Sequence, residues 1–147
     1  MFGLLKKIKS DFCKFKANIF KKELKRGVFC RFILDKRHIS YQNKTVKYTA
    51  FYDKRYSSLS VYNKVFPNEE MFVIGDTYVG SYHTPPKRTI ATGELDASAI
   101  INSDLKLISI PYPHKLHVDI VGFPNEDKAK RLVAQKLADL SSLTLRE

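Results

Sequence analysis

The chain has 147 residues, 44% hydrophobic and 28% charged, which is typical of a globular protein with one core. No stretch approaches the roughly 18 apolar residues of a transmembrane helix, and the N-terminus is charged from residue 6, which argues against a signal peptide. The cysteines, Cys13 and Cys30, lack a C-x-x-C partner, which favours reduced thiols in the cytoplasm. We therefore expect a cytoplasmic protein without a disulfide framework or structural zinc.

Positive charge is concentrated at the N-terminus. The chain carries a net charge of +11, and residues 1–26 contribute +7 of it, from nine basic and two acidic residues. The nine basic residues are Lys6, Lys7, Lys9, Lys14, Lys16, Lys21, Lys22, Lys25 and Arg26. This asymmetry predicts an anionic partner for the N-terminal segment.

Residues 2–25 have the periodicity of an amphipathic helix. Gly27 follows two cations, as is common at helix C-termini. We therefore expect two parts, a basic amphipathic helix over 1–26 and an α+β domain over 27–147. The apolar stripe would suit a partner surface, a membrane interface or the domain's own core. Its residues are Phe2, Leu5, Ile8, Phe12, Phe15, Ile19 and Phe20.

From residue 28 the apolar period changes to two, which is typical of strands. Strands are predicted at VFCRFIL (28–34), HISYQ (38–42), TVKYTAFY (45–52), SLSVYNKV (58–65), LKLISI (105–110) and LHVDIVG (116–122). Asn43 and Lys44 would form a hairpin turn, with Asn43 at positive φ. In the last strand, alternation puts Val118 and Ile120 on one face and His117 and Asp119 on the other.

Three short helices are predicted between and after these strands. They lie at PNEEMFVIG (67–75), ending at Gly75, at GELDASAIIN (93–102), and after Pro124 and Asn125. The buried stripe of the last helix is Ala129, Leu132, Val133, Leu137 and Leu140. Residues 76–91 are expected to form a loop that carries Lys87 and Arg88. The predicted fold is one α+β domain, with a mixed or antiparallel sheet of about five strands and helices on one face.

The stretch PYPHKLHVDIVGFP (111–124) contains two histidines and an aspartate. Proline favours extended neighbours, so His114 and His117 would lie on opposite faces of a strand and chelate a metal poorly. No metal site is therefore predicted. His117 and Asp119 share a face, and Asp119 could fix the tautomer of a general base. Any strand with a polar face yields such a pair, so a purely structural role stays open.

Arg31 interrupts an otherwise apolar strand. A guanidinium there must find a carboxylate, backbone carbonyls or an anionic ligand, and we expect Asp119 or Asp35 as its partner. Ser60 lies in a serine-rich segment without a G-x-S-x-G motif. No glycine-rich phosphate-binding motif occurs, and no cofactor is predicted. Tyrosines alternate with lysines and arginines over residues 41–64, as on base-stacking surfaces, although half-buried strands also favour tyrosine.

Four short motifs follow one another in the order R…AF…LSV…HxxIxGxP. They are Arg31, Ala50–Phe51, Leu59–Ser60–Val61, and His117 with Ile120, Gly122 and Pro124. This order resembles a family of small uncharacterised bacterial proteins over roughly residues 28–145. Val118 and Asp119 stand where that family has Ala-Asn, and Thr92 stands where it tends to have arginine. The resemblance implies a shared fold and a site of Arg31, Ser60 and His117.

Three functional hypotheses follow. The leading one is a bacterial binding or accessory protein, acting alone or as a subunit of a larger complex, whose cationic helix engages nucleic acid or an acidic protein. Lys87 and Arg88 would be further anion-binding residues. The second is a small enzyme for a phosphate-bearing substrate, with His117 as general acid or base, Arg31 as anion clamp, and Ser60 and Asp119 in the same site. The third is association of residues 1–26 with an anionic membrane.

Overall fold

The computed structural model describes residues 21–147. This part of the chain forms nine strands and three α-helices, joined by loops and short 3-10 turns. The strands are β1 (Lys22–Leu24), β2 (Val28–Ile33), β3 (Ile39–Ser40), β4 (Thr45–Val46), β5 (Ser58–Asn63), β6 (Ala91–Asp96), β7 (Lys106–Ser109), β8 (His117–Val121) and β9 (Ser142–Leu145). The helices are α1 (Asn68–Tyr78), α2 (Ala97–Ile101) and α3 (Asp127–Leu140).

Seven of these strands form one antiparallel sheet in the order β1-β7-β8-β5-β2-β6-β9, and β3 and β4 form a separate hairpin. The expected α+β class with an antiparallel sheet is confirmed, with more strands than the predicted five. No helix within residues 21–147 is long and apolar enough to cross a membrane.

Both faces of the sheet are covered. Alternate residues of β2 and β5 pack into two different clusters, because successive side chains of a strand point to opposite faces. One cluster joins Phe29, Ile33, Leu59 and Val61 to residues of α2 and α3. The other joins Cys30, Phe32 and Tyr62 to Met71 of α1. The prediction of helices on one face is therefore wrong, and burial on both faces explains the continuous apolar run of β2.

The end of the predicted N-terminal helix is also wrong. Residues Lys22–Leu24 form β1, which pairs antiparallel with β7 and sets Leu24 opposite Leu107. Leu24 packs against the main core, so strand pairing is favoured here over a helical turn. Gly27 has φ of 117° between β1 and β2, a conformation that suits glycine. The rest of the predicted helix, residues 1–20, lies outside the described residues.

Several predicted boundaries differ from the structure. The segment GELD belongs to β6, and only the second half of the helix predicted at 93–102 is helical, as α2. Helix α1 continues past Gly75 to Tyr78. In the β3–β4 hairpin the positive φ belongs to Lys44, not Asn43. After Val46 the chain leaves the predicted strand for a 3-10 turn that buries Ala50 and Phe51.

The buried face of helix α3 agrees only in part with the predicted one, since Leu137 is buried and Val133 packs against the core. Leu132 and Leu140 are exposed, at 65% and 50%. The buried residues of α3 are Lys130, Ala134, Leu137 and Ala138. Lys130 lies on the buried face because its Nζ donates to the carbonyls of Asp53 and Tyr56, at 3.3 and 2.8 Å. Because a charged residue, Lys130, belongs to the packed face, a stripe drawn through apolar residues alone does not describe that face fully.

Candidate anion-binding cleft and serine–histidine pair

The two central strands of the sheet separate after a short contact. β2 and β5 pair only at Phe29 with Asn63 and at Cys30 with Tyr62. Each strand stays paired with its other neighbour, β2 with β6 and β5 with β8, but the two edges that face each other diverge. A cleft of about 660 Å³ is lined by residues 31–35 on one side and by Ser60 and Tyr62 on the other. This volume is within the usual range for small-ligand sites.

Arg31 links the two diverging strands. Its Nε donates to the Ala50 carbonyl at 3.0 Å, and its Nη1 donates to the Ser60 carbonyl at 2.8 Å. The expected pairing with Asp35 or Asp119 is therefore wrong, since backbone carbonyls are the partners. Burial lowers the pKa of the Arg31 guanidinium, with the Asp53 carboxylate acting in the opposite direction. The guanidinium also lines the cleft, so a strand-bridging residue brings positive charge to its wall.

Ser60 and His117 are hydrogen-bonded to each other. On the β5–β8 pair, Ser60 lies opposite Asp119 and Tyr62 lies opposite His117, so Ser60 and His117 are diagonal neighbours on one face. The Ser60 hydroxyl meets His117 Nε2. His117 Nδ1 lies 2.8 Å from the Ile110 carbonyl, which can only accept, so Nδ1 carries a hydrogen. In the neutral ring Nε2 then accepts a hydrogen bond from the Ser60 hydroxyl.

Asp119 has a different place from the predicted one. Its Oδ1 lies 3.3 Å from His117 Nε2, the same nitrogen that meets Ser60. The tautomer is fixed instead by the Ile110 carbonyl at the other nitrogen. If Nε2 takes up a proton, it can donate a hydrogen bond to the Asp119 carboxylate, which then stabilises the cationic ring. His117 can therefore take a proton from the Ser60 hydroxyl, and Asp119 can stabilise that proton on the ring.

The two histidines do not occupy opposite faces. Strand β8 begins at His117, and His114 belongs to the preceding turn, where its Nδ1 accepts from the Leu116 amide at 3.0 Å. Both rings pack against Tyr62, with centroids 6.3 Å and 5.4 Å away. Burial lowers the pKa of His114, and the Lys115 cation adds to this. Within the part of the chain that the structure describes, no three His, Cys, Asp or Glu side chains are grouped to hold a metal.

The cleft is lined mainly by cationic and aromatic side chains. In the part of the chain that the structure describes, four permanent cations line it, Arg31, Arg37, Arg55 and Lys87, against one carboxylate, Asp35. His38 and His83 also line it, as do the tyrosines Tyr52, Tyr62, Tyr78 and Tyr82. Such a wall has a positive potential and favours anions.

Two of these arginines are presented by the same tripeptide. Asp-Lys-Arg occurs at 35–37 and again at 53–55, and each arginine amide donates to its own aspartate at 2.9 Å. Each guanidinium also pairs with that aspartate, at 2.7 Å for Arg37 and 3.3 Å for Arg55. By contrast, neither Arg31 nor Lys87 has a carboxylate within ion-pair distance among residues 21–147.

Lys87 is held at the cleft by a tight loop. Its amide donates to the Gly80 carbonyl at 3.0 Å, and a Cβ at Gly80 would collide with the Lys87 carbonyl oxygen. The same carbonyl of Gly80 accepts from the His83 amide, so the loop fixes Tyr82 and His83 beside the lysine. Arg88 points elsewhere and lines a second cleft with Arg146. The predicted pair Lys87 and Arg88 is therefore divided between two surfaces.

Four of the nine basic residues of the N-terminal segment fall within the described part of the chain. Lys21, Lys22, Lys25 and Arg26 are exposed around β1, and Lys25 pairs with Glu23 at 2.9 Å. The other predicted anion-binding residues, Lys6, Lys7, Lys9, Lys14 and Lys16, lie outside the described residues. None of the four exposed residues lines the cleft between β2 and β5.

No protein-family model matches the chain, and neither a curated protein nor a solved structure is significantly similar to it. The site must therefore be interpreted from its own geometry. Sequence reasoning singled out Arg31, Ser60, His117 and Lys87, and it noted Arg55 only as one of the basic residues among the tyrosines of residues 41–64. It overlooked Arg37 and the histidines of the cleft. The repeated Asp-Lys-Arg was the available signal, because aspartate two residues before an arginine favours a turn that presents the arginine.

Proposed function

We propose that this domain binds a small phosphate-bearing anion in the cleft between β2 and β5. The observation that carries the proposal is that Arg31 and Lys87 converge on one cleft, and that neither has a carboxylate partner among residues 21–147. Within the same residues, Asp35 is the one carboxylate that lines the cleft, and Arg37 already neutralises it. Arg31 donates from Nε and Nη1 to two carbonyls, and its Nη2 has no hydrogen-bond partner among residues 21–147. A guanidinium held in this way is pre-organised for a phosphate oxygen.

A binding titration with inorganic pyrophosphate tests this proposal. Isothermal titration calorimetry is run at low and high salt, because attraction between exposed charges weakens as salt screens them. Lys87→Gln is expected to weaken binding severalfold. Lys128→Gln is the matched control, since Lys128 is also exposed, on α3, but does not line the cleft. Absence of binding at low salt, or equal loss in both variants, contradicts the proposal.

A catalytic role for the cleft is the second candidate, favoured by the Ser60–His117 hydrogen bond. Ser60 lines the cleft, whereas His117 is buried behind it. A bound phosphate ester would therefore meet the Ser60 hydroxyl, and His117 would take or return its proton as general base or acid. His117 is thus a positioning and proton-accepting residue, and Arg31 holds the anion.

Phosphate release from a panel of phosphate esters tests this candidate. Ser60→Ala is expected to abolish turnover while leaving pyrophosphate binding near the wild-type value. His117→Gln is expected to lower kcat with little change in KM, because glutamine keeps a polar side chain at this position but cannot take the Ser60 proton. Turnover that survives both substitutions refutes a role for the pair.

The basic N-terminus supports a separate proposal, that it engages nucleic acid or an acidic protein partner. The charge of +7 over residues 1–26 and the exposure of Lys21, Lys22, Lys25 and Arg26 support it. Fluorescence anisotropy with labelled oligonucleotides compares the full chain with residues 21–147, a truncation that keeps β1. Steeply salt-dependent binding lost on truncation supports the proposal. Binding of anionic vesicles instead of oligonucleotides indicates membrane association.

A further inference from the structure

The aromatic side chains of the cleft are not equivalent. Tyr62 is buried, with its ring 5.0 Å from Phe32, and Tyr78 packs edge-on against His114 at 4.7 Å. Tyr52 lies under the Arg131 guanidinium, and its hydroxyl bonds to Asp127. These three rings are therefore engaged in the fold. The structure leaves their π-faces little freedom to receive a ligand.

Tyr82 differs from these three in exposure. It lines the cleft, it is 73% exposed, and within residues 21–147 its ring pairs with no other aromatic ring or cation. Its backbone belongs to the loop that the Lys87 amide closes on the Gly80 carbonyl. One loop thus brings to the cleft both an exposed aromatic side chain and a cation, Lys87, that has no carboxylate partner among residues 21–147.

We propose that the ligand of the cleft is a nucleotide unit, whose base stacks on Tyr82 while its phosphate binds Lys87 and Arg31. This inference rests on the proposed anion-binding function and adds the chemical class of the ligand. An aromatic platform beside cations is the combination that binds a nucleobase together with its phosphate. The cleft volume of about 660 Å³ accommodates one such unit. The unit could belong to a free nucleotide or to single-stranded nucleic acid.

Calorimetric titration of the full chain with adenosine monophosphate and with ribose 5-phosphate isolates the contribution of the base. We expect the nucleotide to bind about five-fold or more tightly than the sugar phosphate, the lower limit for one base stacked on an aromatic ring. Tyr82→Ala is expected to remove this advantage without weakening ribose 5-phosphate. Tyr82→Phe keeps the π-face and is expected to retain it. Tyr41→Ala is the matched control, since Tyr41 is 51% exposed and lies outside the cleft lining.

The outcomes separate the two proposals. If ribose 5-phosphate binds but the base adds nothing either in adenosine monophosphate or in a short single-stranded oligonucleotide, or if the advantage of the base survives Tyr82→Ala, the nucleotide inference is overturned and anion binding stands. If neither phosphate binds, both are overturned. A short single-stranded oligonucleotide forms a further arm. A Tyr82-dependent advantage that appears only with this oligonucleotide supports the stacking site and identifies nucleic acid as its source.

Discussion

Replacing Arg31 by methionine removes the side chain that bridges the separated strands. Methionine keeps an unbranched apolar stem and takes away both donors. The carbonyls of Ala50 and Ser60 then lose the partners that lie 3.0 and 2.8 Å away. We expect Arg31→Met to destabilise the domain and to widen the gap between β2 and β5.

The size of this effect follows from the two hydrogen bonds. A hydrogen bond to a charged group contributes about 1.5–3 kcal/mol, so the two bonds sum to at least about 3 kcal/mol. The variant recovers part of this, because burial disfavours the guanidinium charge, as the lowered pKa of Arg31 indicates. We expect a net loss of about 2–4 kcal/mol. A domain of ordinary stability, about 5–15 kcal/mol, remains folded.

Urea unfolding followed by circular dichroism measures this loss. Arg37→Met is the matched control, because its guanidinium also lines the cleft but its side chain is 85% exposed. Exposed ion pairs contribute about 0–1 kcal/mol, so the control should change little. Arg31→Lys should lose an amount of stability between those of Arg31→Met and Arg37→Met, since one ammonium group reaches one of the two carbonyls more readily than both. A loss below about 0.5 kcal/mol for Arg31→Met would show that the bridge does not stabilise the sheet.

Three further predictions concern titratable groups. Burial acts to raise the pKa of Asp76, but hydrogen bonds from the Thr89 backbone amide and from Arg146 outweigh burial and lower this pKa below 3.8. The Asp76 carboxylate therefore stabilises the fold above about pH 4, and this stabilisation is lost as the pH falls through the folded-state pKa. Asp76→Asn should therefore cost about 1–3 kcal/mol at pH 7 and make urea unfolding less sensitive to acid; equal acid sensitivity would contradict this. Burial raises the pKa of Cys30 to about 12, so in a Cys13→Ser background the native thiol should resist Ellman's reagent at pH 8 and react only on unfolding. Burial lowers the pKa of His38 below 6.5, and pyrophosphate in the cleft should raise it, because an anion favours the imidazolium; an NMR titration that shows no change would place the anion elsewhere.

The central strands were predictable because their patterns are local. The alternation in β5 and β8 and the apolar run of β2 each give a strand without reference to the rest of the chain. Strand β1 was not predictable in this way, because its one apolar residue, Leu24, acquires strand structure by pairing with β7, more than 80 residues later. The lysine-rich pattern around it matched a helix equally well.

The candidate site was partly predictable for a related reason. Arg31 was anomalous within its strand, so the need for a partner could be inferred. The identity of that partner depended on residues 19 and 29 positions away. The contact between Ser60 and His117 spans 57 positions, and only the resemblance of motifs pointed to it. The cleft itself arises where β2 and β5 stop pairing, which no local pattern records.

The most direct test of the account is a two-dimensional amide NMR titration of the full chain with inorganic pyrophosphate. We predict saturable shifts for Arg31, Ser60 and Lys87, with the control surface at Lys128 unchanged. Shifts confined to residues 1–26, or no saturable shift at low salt, would contradict the claim that the cleft between β2 and β5 is the anion site.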